Sequence, residues 1–359
     1  MTRRLWLVGG GHAHAVLLRA WAGQGLPAGV TATLLSPSHQ APYSGMVPGW
    51  LAGRYRFDDI CIDLRALAAA AGVGWRDGEL RDLDAAARQL HLADGSTEHY
   101  DLLSLNVGST LSPPDWPGVR MLALRPLSAL QAAWGTVLGE SPPSSVLTVG
   151  GGAAGVEATL AIIASLRQRH PLWQAPGRLV TRSKALLEGF PPRAQRAAFD
   201  ALARAGVAVQ CSTDADPTMA PPRTLVLWAA GAASHPWQRR SALAQDAGGF
   251  IRTGATLRST SHADVFASGD CASLPQPLPK AGVFAVRQGP LLARNLRAAL
   301  EGRPLDAFTQ NGEALALLST ADGHAIAARG VWSAAGPRIG KLLWRWKDHI
   351  DRAFVRGPA

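Results

Sequence analysis

The stretch Ser145-Val146-Leu147-Thr148-Val149-Gly150-Gly151-Gly152-Ala153-Ala154-Gly155-Val156-Glu157 runs from an apolar segment through a glycine cluster into Ala158-Thr159-Leu160-Ala161-Ile162-Ile163. Strand, tight turn and helix in that order are the context that gives a G-x-G-x-x-G pattern its meaning. Glycines let the backbone come close to a pyrophosphate, while free N–H groups and the positive end of the helix dipole point at its charge. A second copy, Val8-Gly9-Gly10-Gly11-His12-Ala13-His14, follows the strand-like Leu5-Trp6-Leu7-Val8 about 140 residues earlier. Two such turns predict an α/β chain with two Rossmann-like dinucleotide-binding domains.

The N-terminal copy departs from the pattern twice. The next strand, Val30 to Leu35, is followed by Ser36, where an acid would take the ribose hydroxyls, and His14 stands at the third-glycine position. His12 and His14 also form an H-x-H pair, but with no further ligand cluster nearby in sequence the expectation is packing or phosphate contact and no metal site. Beyond the second strand, Ala41-Pro42-Tyr43-Ser44-Gly45-Met46-Val47-Pro48-Gly49 lies at the carboxyl edge of the sheet, which favours a ligand-lining loop. Val73 to Asp101 reads as short strands with a hairpin at Ala93-Asp94-Gly95, and leads into an apolar strand ending in Asn106-Val107-Gly108. Ser112 to Gly118, rich in proline, marks a boundary.

The second unit runs from about Arg120 to Ser234. Its strand Arg178-Leu179-Val180-Thr181 is followed by Arg182, Ser183 and Lys184 where an NAD-selective site would place an acid; two cations suit a 2′-phosphate and favour NADPH over NADH. Thr224 to Gly231 closes the unit, and Ala263 to Ala272 carries Gly269-Asp270. A helix from about Val283 to Leu300, a strand pair around Ala321-Asp322-Gly323 and a terminal helix from about Ile339 to Val355 complete the chain. On that last helix Leu342, Leu343, Trp346, Ile350, Ala353 and Phe354 fall on one face, with Lys341, Arg345, Lys347, Asp348 and Arg352 largely elsewhere. Such a stripe packs into a core or, alternatively, lies on a membrane surface.

The 359 residues allow about two domains. No apolar stretch reaches the roughly 18 residues needed to span a bilayer. Met1-Thr2-Arg3-Arg4 runs straight into the first strand, so the expectation is a cytoplasmic protein, soluble or membrane-peripheral. A net charge of +10 favours anionic partners, yet the arginines are scattered and nucleic acid is not expected. Cys61, Cys211 and Cys271 form no C-x-x-C or C-x-x-x-x-C pair, which indicates neither zinc nor a local redox disulfide.

With these residues in view, the chain resembles the pyridine-nucleotide-dependent FAD oxidoreductases, the superfamily that includes type II NADH dehydrogenases. The marks are the two glycine turns, Asn106-Val107-Gly108, Trp228-Ala229-Ala230-Gly231 and Val265-Phe266-Ala267-Ser268-Gly269-Asp270. Tyr43 to Gly49, Pro279 to Pro290 and Trp346-Lys347-Asp348-His349-Ile350-Asp351-Arg352 are similar to a subgroup that in some bacteria is fused ahead of selenide, water dikinase.

The resemblance implies FAD on residues 1–112 and 235–308, NAD(P)H on the inserted 113–234, and 309–359 as a C-terminal strand pair and amphipathic helix. It implies FAD contacts from Gly9, Gly10, Gly11, His12, Ala13, Ser36, Pro42, Tyr43, Ser44, Gly45, Asn106, Gly108, Gly269, Asp270, Lys280 and Ala281. NAD(P)H contacts would come from Gly150, Gly152, Ala154, Gly155, Arg182, Lys184 and Gly231. Asp270 would accept from the ribityl chain at the start of a helix whose dipole stabilises the reduced, anionic flavin. Glu157 matches an acid beside the nicotinamide–flavin contact, and Lys280 and Gln288 are the other catalytic candidates. The A-Q-x-x-x-Q pattern near the quinone of type II dehydrogenases meets Gly282 and Val283 here for its first pair, and a glutamine only at Gln288. The implied activity is hydride transfer from NAD(P)H to flavin and on to a small-molecule acceptor, with a quinone as one candidate. The alternative, motivated by Ser36 and His14, is a low-turnover nucleotide-binding redox partner or sensor.

Overall fold

The computed structural model describes residues 2–309 and 313–357. In chain order the main elements are β1 (Arg3–Val8), α1 (His12–Ala22), β2 (Val30–Ser36), α2 (Leu64–Ala70), β3 (Gly74–Asp77), β4 (Leu102–Leu105), β5 (Arg120–Ala123) and α3 (Leu127–Gly139). There follow β6 (Ser145–Val149), α4 (Ala153–Arg169), β7 (Gly177–Val180), α5 (Pro192–Arg204), β8 (Val207–Gln210), β9 (Thr224–Trp228) and β10 (Val265–Ala267). The chain ends with α6 (Gly282–Leu300), β11 (Ala316–Ser319), β12 (Ala325–Arg329), β13 (Trp332–Ala334) and α7 (Pro337–Arg356).

Two parallel sheets organise these elements. The first has the order β10-β4-β1-β2-β3 and the second β5-β9-β6-β7-β8. In each, the strand before the glycine turn is central and the order reverses on either side of it, which opens a crevice at the carboxyl end of that strand. The second sheet lies wholly between Arg120 and Trp228, whereas the first takes its last strand from Val265–Ala267. The outgoing and returning segments pair with each other, Thr110–Leu111 against Ala232–Ala233.

The strands read as continuous apolar runs because both faces of each sheet are covered. On β1, Leu5 and Leu7 pack with α1 and α6, while Trp6 and Val8 pack beneath an antiparallel meander formed by Leu80–Asp84, Gln89–Leu92 and Thr97–His99. Helices α1 and α6 cross closely at Gly289, where a Cβ would come within 2.5 Å of the Val16 Cβ. In the second sheet Val146, Leu225 and Leu227 share a core with α4, and Leu147, Val149 and Val226 pack with Trp116 on the other face.

The C-terminal part differs from expectation in two ways. The strand pair is a three-stranded antiparallel sheet, β11-β12-β13, because Gly330 at φ +54° reverses the chain once more. The apolar stripe of α7 is also split: Leu343 is buried and Phe354 partly so, but the middle of the inner face is formed by Lys347 and Asp351. Ile339, Leu342, Trp346 and Ile350 instead face solvent, between 39% and 59% exposed. The inward Lys347 is tolerated because its Nζ donates to the Gly45 carbonyl at 2.6 Å and to Asp351 Oδ2 at 2.6 Å, which supplies the partners a buried ammonium requires.

Candidate active site at the carboxyl edges of the two sheets

The first glycine turn is tied down by Asn106, at the end of β4. The Asn106 carbonyl accepts from Gly11 N at 3.1 Å, its Oδ1 accepts from Ala13 N (3.1 Å) and His14 N (3.3 Å), and its Nδ2 donates to the Ser268 carbonyl at 2.8 Å. Asn106 therefore acts on α1 as a cap from another strand, and its buried side chain bonds protein groups through both Oδ1 and Nδ2. Gly9, at φ +96°, and Gly11 press so closely on Asn106 that a Cβ on either would clash, and one on Gly10 would strike Leu64.

His14 explains its own place at the third-glycine position. Its Nδ1 lies 2.7 Å from the Gly9 carbonyl, which can only accept, so Nδ1 carries the proton and Nε2 accepts from the Ser104 hydroxyl at 2.9 Å. Burial lowers its pKa to about 4 and keeps the ring neutral. Both ring nitrogens of His14 are thus engaged, and among the described residues no group of three or more potential metal ligands occurs. Ser36 is buried beside Gly10 and its hydroxyl donates to the Ser38 carbonyl at 2.9 Å, so no acid stands at the end of β2.

Around this turn the expected loop does assemble. Pro42 ends a short strand paired with Cys61–Asp63, and the Tyr43 ring meets His12 edge-on at 5.3 Å and Phe354 of α7 at 4.6 Å. The Ser44 amide donates to His12 Nε2 at 3.3 Å, and burial lowers the His12 pKa to about 4. The start of α6 lies alongside, since a Cβ on Gly282 would come 3.4 Å from His12 Cε1. Neither α1 nor α6, whose first residues follow Gly11 and Ala281, has a side-chain cap of its own. Gly108, at φ +71°, borders open space.

Asp270 follows Gly269 at the end of β10. Its Oδ2 takes Arg125 Nη1 at 2.5 Å and lies 3.5 Å from Ser109 Oγ, while Oδ1 accepts no protein hydrogen bond among the described residues. Arg125, between β5 and α3, is a site residue that sequence reasoning missed. A single arginine before a proline carries no local signal, and only the meeting of the two sheets brings it here.

Two expected catalytic residues, Gln288 and Lys280, hydrogen-bond backbone groups in this structure. Gln288, 1% exposed, accepts from Gly269 N at 2.6 Å through Oε1 and so supports the turn that carries Asp270. Lys280 Nζ donates to the Ala272 carbonyl at 2.6 Å and lies 3.8 Å from the centre of the Phe250 ring. Both line a recess of about 100 Å³ with Asp246 and Phe284, well below the few hundred Å³ of an ordinary ligand pocket.

The second turn is more open. Gly150, at φ +122°, lies against Ala229, and a Cβ on Gly155 would collide with the Gly150 carbonyl. Gly152 and Ala154 are exposed, and α4 begins without a side-chain cap. Gly231, at φ +72°, also borders open space. Arg182 and Lys184 are exposed beyond the end of β7, and Arg182 Nε lies 3.9 Å from Asp214.

Glu157, in the first turns of α4, accepts from Ser319 N at 2.8 Å through Oε1. Burial raises its pKa to about 7, against the opposing pull of Lys347 and the Ser319 amide. This carboxyl therefore gains and loses a proton near neutrality, beside the Lys347–Asp351 pair of α7.

The sequence matches the family model described as pyridine nucleotide-disulphide oxidoreductase over residues 3–289. Among solved structures, the fold is similar to the sulfide:quinone oxidoreductase of Aquifex aeolicus, with a TM-score of 0.78 and 14% identity over 99% of this chain and 91% of that one. NDH2 of Plasmodium falciparum gives a TM-score of 0.77 at 12% identity, with 99% and 97% of the two chains covered. NADH:rubredoxin oxidoreductase of Clostridium acetobutylicum gives 0.71 at 17% identity, with 91% and 82% covered.

Proposed function

Because the chain belongs to the pyridine nucleotide-disulphide oxidoreductase family, it is an FAD-dependent NAD(P)H oxidoreductase, and we propose that its acceptor is a membrane-dissolved quinone. The observation that carries the reading is the pair of glycine turns at the switch points of two parallel sheets, each leading into a helix without a side-chain cap of its own. Bound FAD would take hydride from the nicotinamide and pass electrons to the acceptor.

The residues fit both groups. Gly9 to Gly11 and the start of α1 would face the FAD pyrophosphate, and Asp270 Oδ1, which accepts no hydrogen bond among the described residues, would take a ribityl hydroxyl. Pro42 to Gly45 and Ala281 would line the same cofactor. Gly150, Gly152, Ala154 and Gly155 would face the NAD(P)H pyrophosphate, and Gly231 would line the same cofactor. Arg182 and Lys184 would attract a 2′-phosphate, which favours NADPH. Glu157 would hold a proton for the reaction. The three cysteines are unpaired and Cys271 is buried, so the chain offers no disulfide of its own for electron transfer.

The quinone reading is supported by a neighbour that is named for a quinone and by the outer face of α7. Ile339, Leu342, Trp346 and Ile350 are exposed there among Arg338, Lys341 and Arg345, the composition of a helix that rests on an anionic membrane surface. Among the described residues no helix is long and apolar enough to cross a membrane.

The test is anaerobic mixing of the purified protein with NADH or NADPH. Bleaching of the visible flavin band is expected, then recovery of the band on adding a short-chain quinone. No bleaching with either nucleotide defeats the whole reading, and recovery with ferricyanide but not with quinone defeats the choice of acceptor. The second reading, a low-turnover redox partner or sensor, is favoured by the absence of an acid at Ser36; protein that purifies colourless and refuses added FAD would support it.

A further inference from the structure

We propose that Arg125, supplied by the unit that holds the second glycine turn, is a positioning residue of the flavin site that also sets the reduction potential there. The inference rests on the functional reading above. Arg125 reaches three other chain segments from its place between β5 and α3: Nη1 bonds Asp270 Oδ2 and Ser109 Oγ, and Nη2 donates to the Lys280 carbonyl at 3.3 Å. Its pair with Asp270 is partly buried, with side chains 29% and 13% exposed. It is also the one ion pair among the described residues that joins residues 113–234 to the rest of the chain.

Two consequences follow from this geometry. Arg125 holds Asp270 through Oδ2 alone, which fixes the carboxylate and leaves Oδ1 for a ribityl hydroxyl. It also places a guanidinium, always charged, beside the start of α6, whose dipole is positive. Both fields point the same way and favour the negative charge that the cofactor gains on reduction. A mere staple would not need this place, because the Thr110–Leu111 and Ala232–Ala233 ribbon already joins the two units.

The experiment compares the wild type with R125Q and R125K, all purified with FAD, by redox titration of the visible flavin band and by the FAD dissociation constant. Removing the positive charge is expected to cut the preference for the reduced cofactor about tenfold, a midpoint about 30 mV more negative for two electrons. R125Q is also expected to release FAD about tenfold more readily. R125K, which keeps the charge but loses the two-branched grip, should keep the wild-type midpoint and still release FAD more readily. An R125Q protein that holds FAD at an unshifted midpoint overturns the inference. Should R125Q fail to accumulate, R125K decides: an unshifted midpoint with weakened FAD supports the inference, and a shifted midpoint or unchanged FAD affinity overturns it. Wild-type protein that takes no flavin would overturn the functional reading as well, and the first spectrum separates that failure from the others.

Discussion

The two glycine turns follow one strand–turn–helix plan and solve its tightest contact in opposite ways. At the second turn the Gly150 carbonyl lies where a Cβ on Gly155 would have to sit, so only glycine fits. At the first turn the equivalent Gly9 carbonyl accepts a hydrogen bond from His14, which occupies the equivalent helix position. One turn excludes a side chain and the other recruits one. The second leaves its helix start exposed, while the first gives two of its amides to Asn106. A departure from a fingerprint is thus not a weakened copy of it when the new side chain satisfies the group that the glycine would only have avoided.

The comparison can be broken most forcefully at Gly155. Gly155→Val is expected to cost more than about 3 kcal/mol by overpacking against the Gly150 carbonyl and to abolish NAD(P)H binding, read by thermal unfolding and nucleotide titration. A variant of wild-type stability would show that the two turns are not alternatives.

Next comes His14→Ala, which leaves the Gly9 carbonyl and the Ser104 hydroxyl unpaired around a small cavity. A loss of about 2 to 4 kcal/mol is expected in urea unfolding. The pH dependence sharpens the same point. The folded pKa of about 4 lies below the unfolded 6.5, so the unfolded chain binds the extra proton first. The stabilisation is fully present above pH 6.5 and is lost as pH falls towards 4, by about 3 kcal/mol. The alanine variant should lose less stability than the wild type over that interval; equal losses would assign the slope to other groups, His12 among them.

Glu157→Gln tests what the second turn adds beyond binding. A fall in kcat of about 100-fold is expected, with loss of the inflection near pH 7 in the rate profile. An unchanged profile would reduce Glu157 to its contact with Ser319. The smallest effect is reserved for Arg182→Ala with Lys184→Ala. These exposed cations should cost NADPH about tenfold in kcat/KM, about 1.4 kcal/mol, and leave NADH nearly unaffected. Equal changes with both nucleotides would end the case for a 2′-phosphate contact.

Much of the fold was legible in the chain as written. Apolar runs before both glycine clusters became the central strands, the Ala93-Asp94-Gly95 turn joins two strands of the meander, and α6 begins one residue before its expected start. These features depend on neighbours in sequence, which local periodicity and turn chemistry report directly. Of the candidate site, the sequence announces the two glycine turns most directly, because a tight turn is written in consecutive residues. Lys280 and Gln288 could be picked out by their place in the chain, but their bonds to Ala272 and Gly269 could not, because no periodicity reports the partner that a side chain finds across the fold.

The sequence by itself determined that there would be two dinucleotide units with glycine turns, because a backbone that must approach phosphate admits few residues. Tertiary structure alone decided what surrounds those turns. Arg125 meets Asp270 across 145 residues, Glu157 meets the Ser319 amide across 162, and α7 turns Lys347 inward and Trp346 outward. Each depends on where a distant carbonyl, amide or carboxylate comes to rest, and the free energy of satisfying a buried polar group is settled only when both partners are in place.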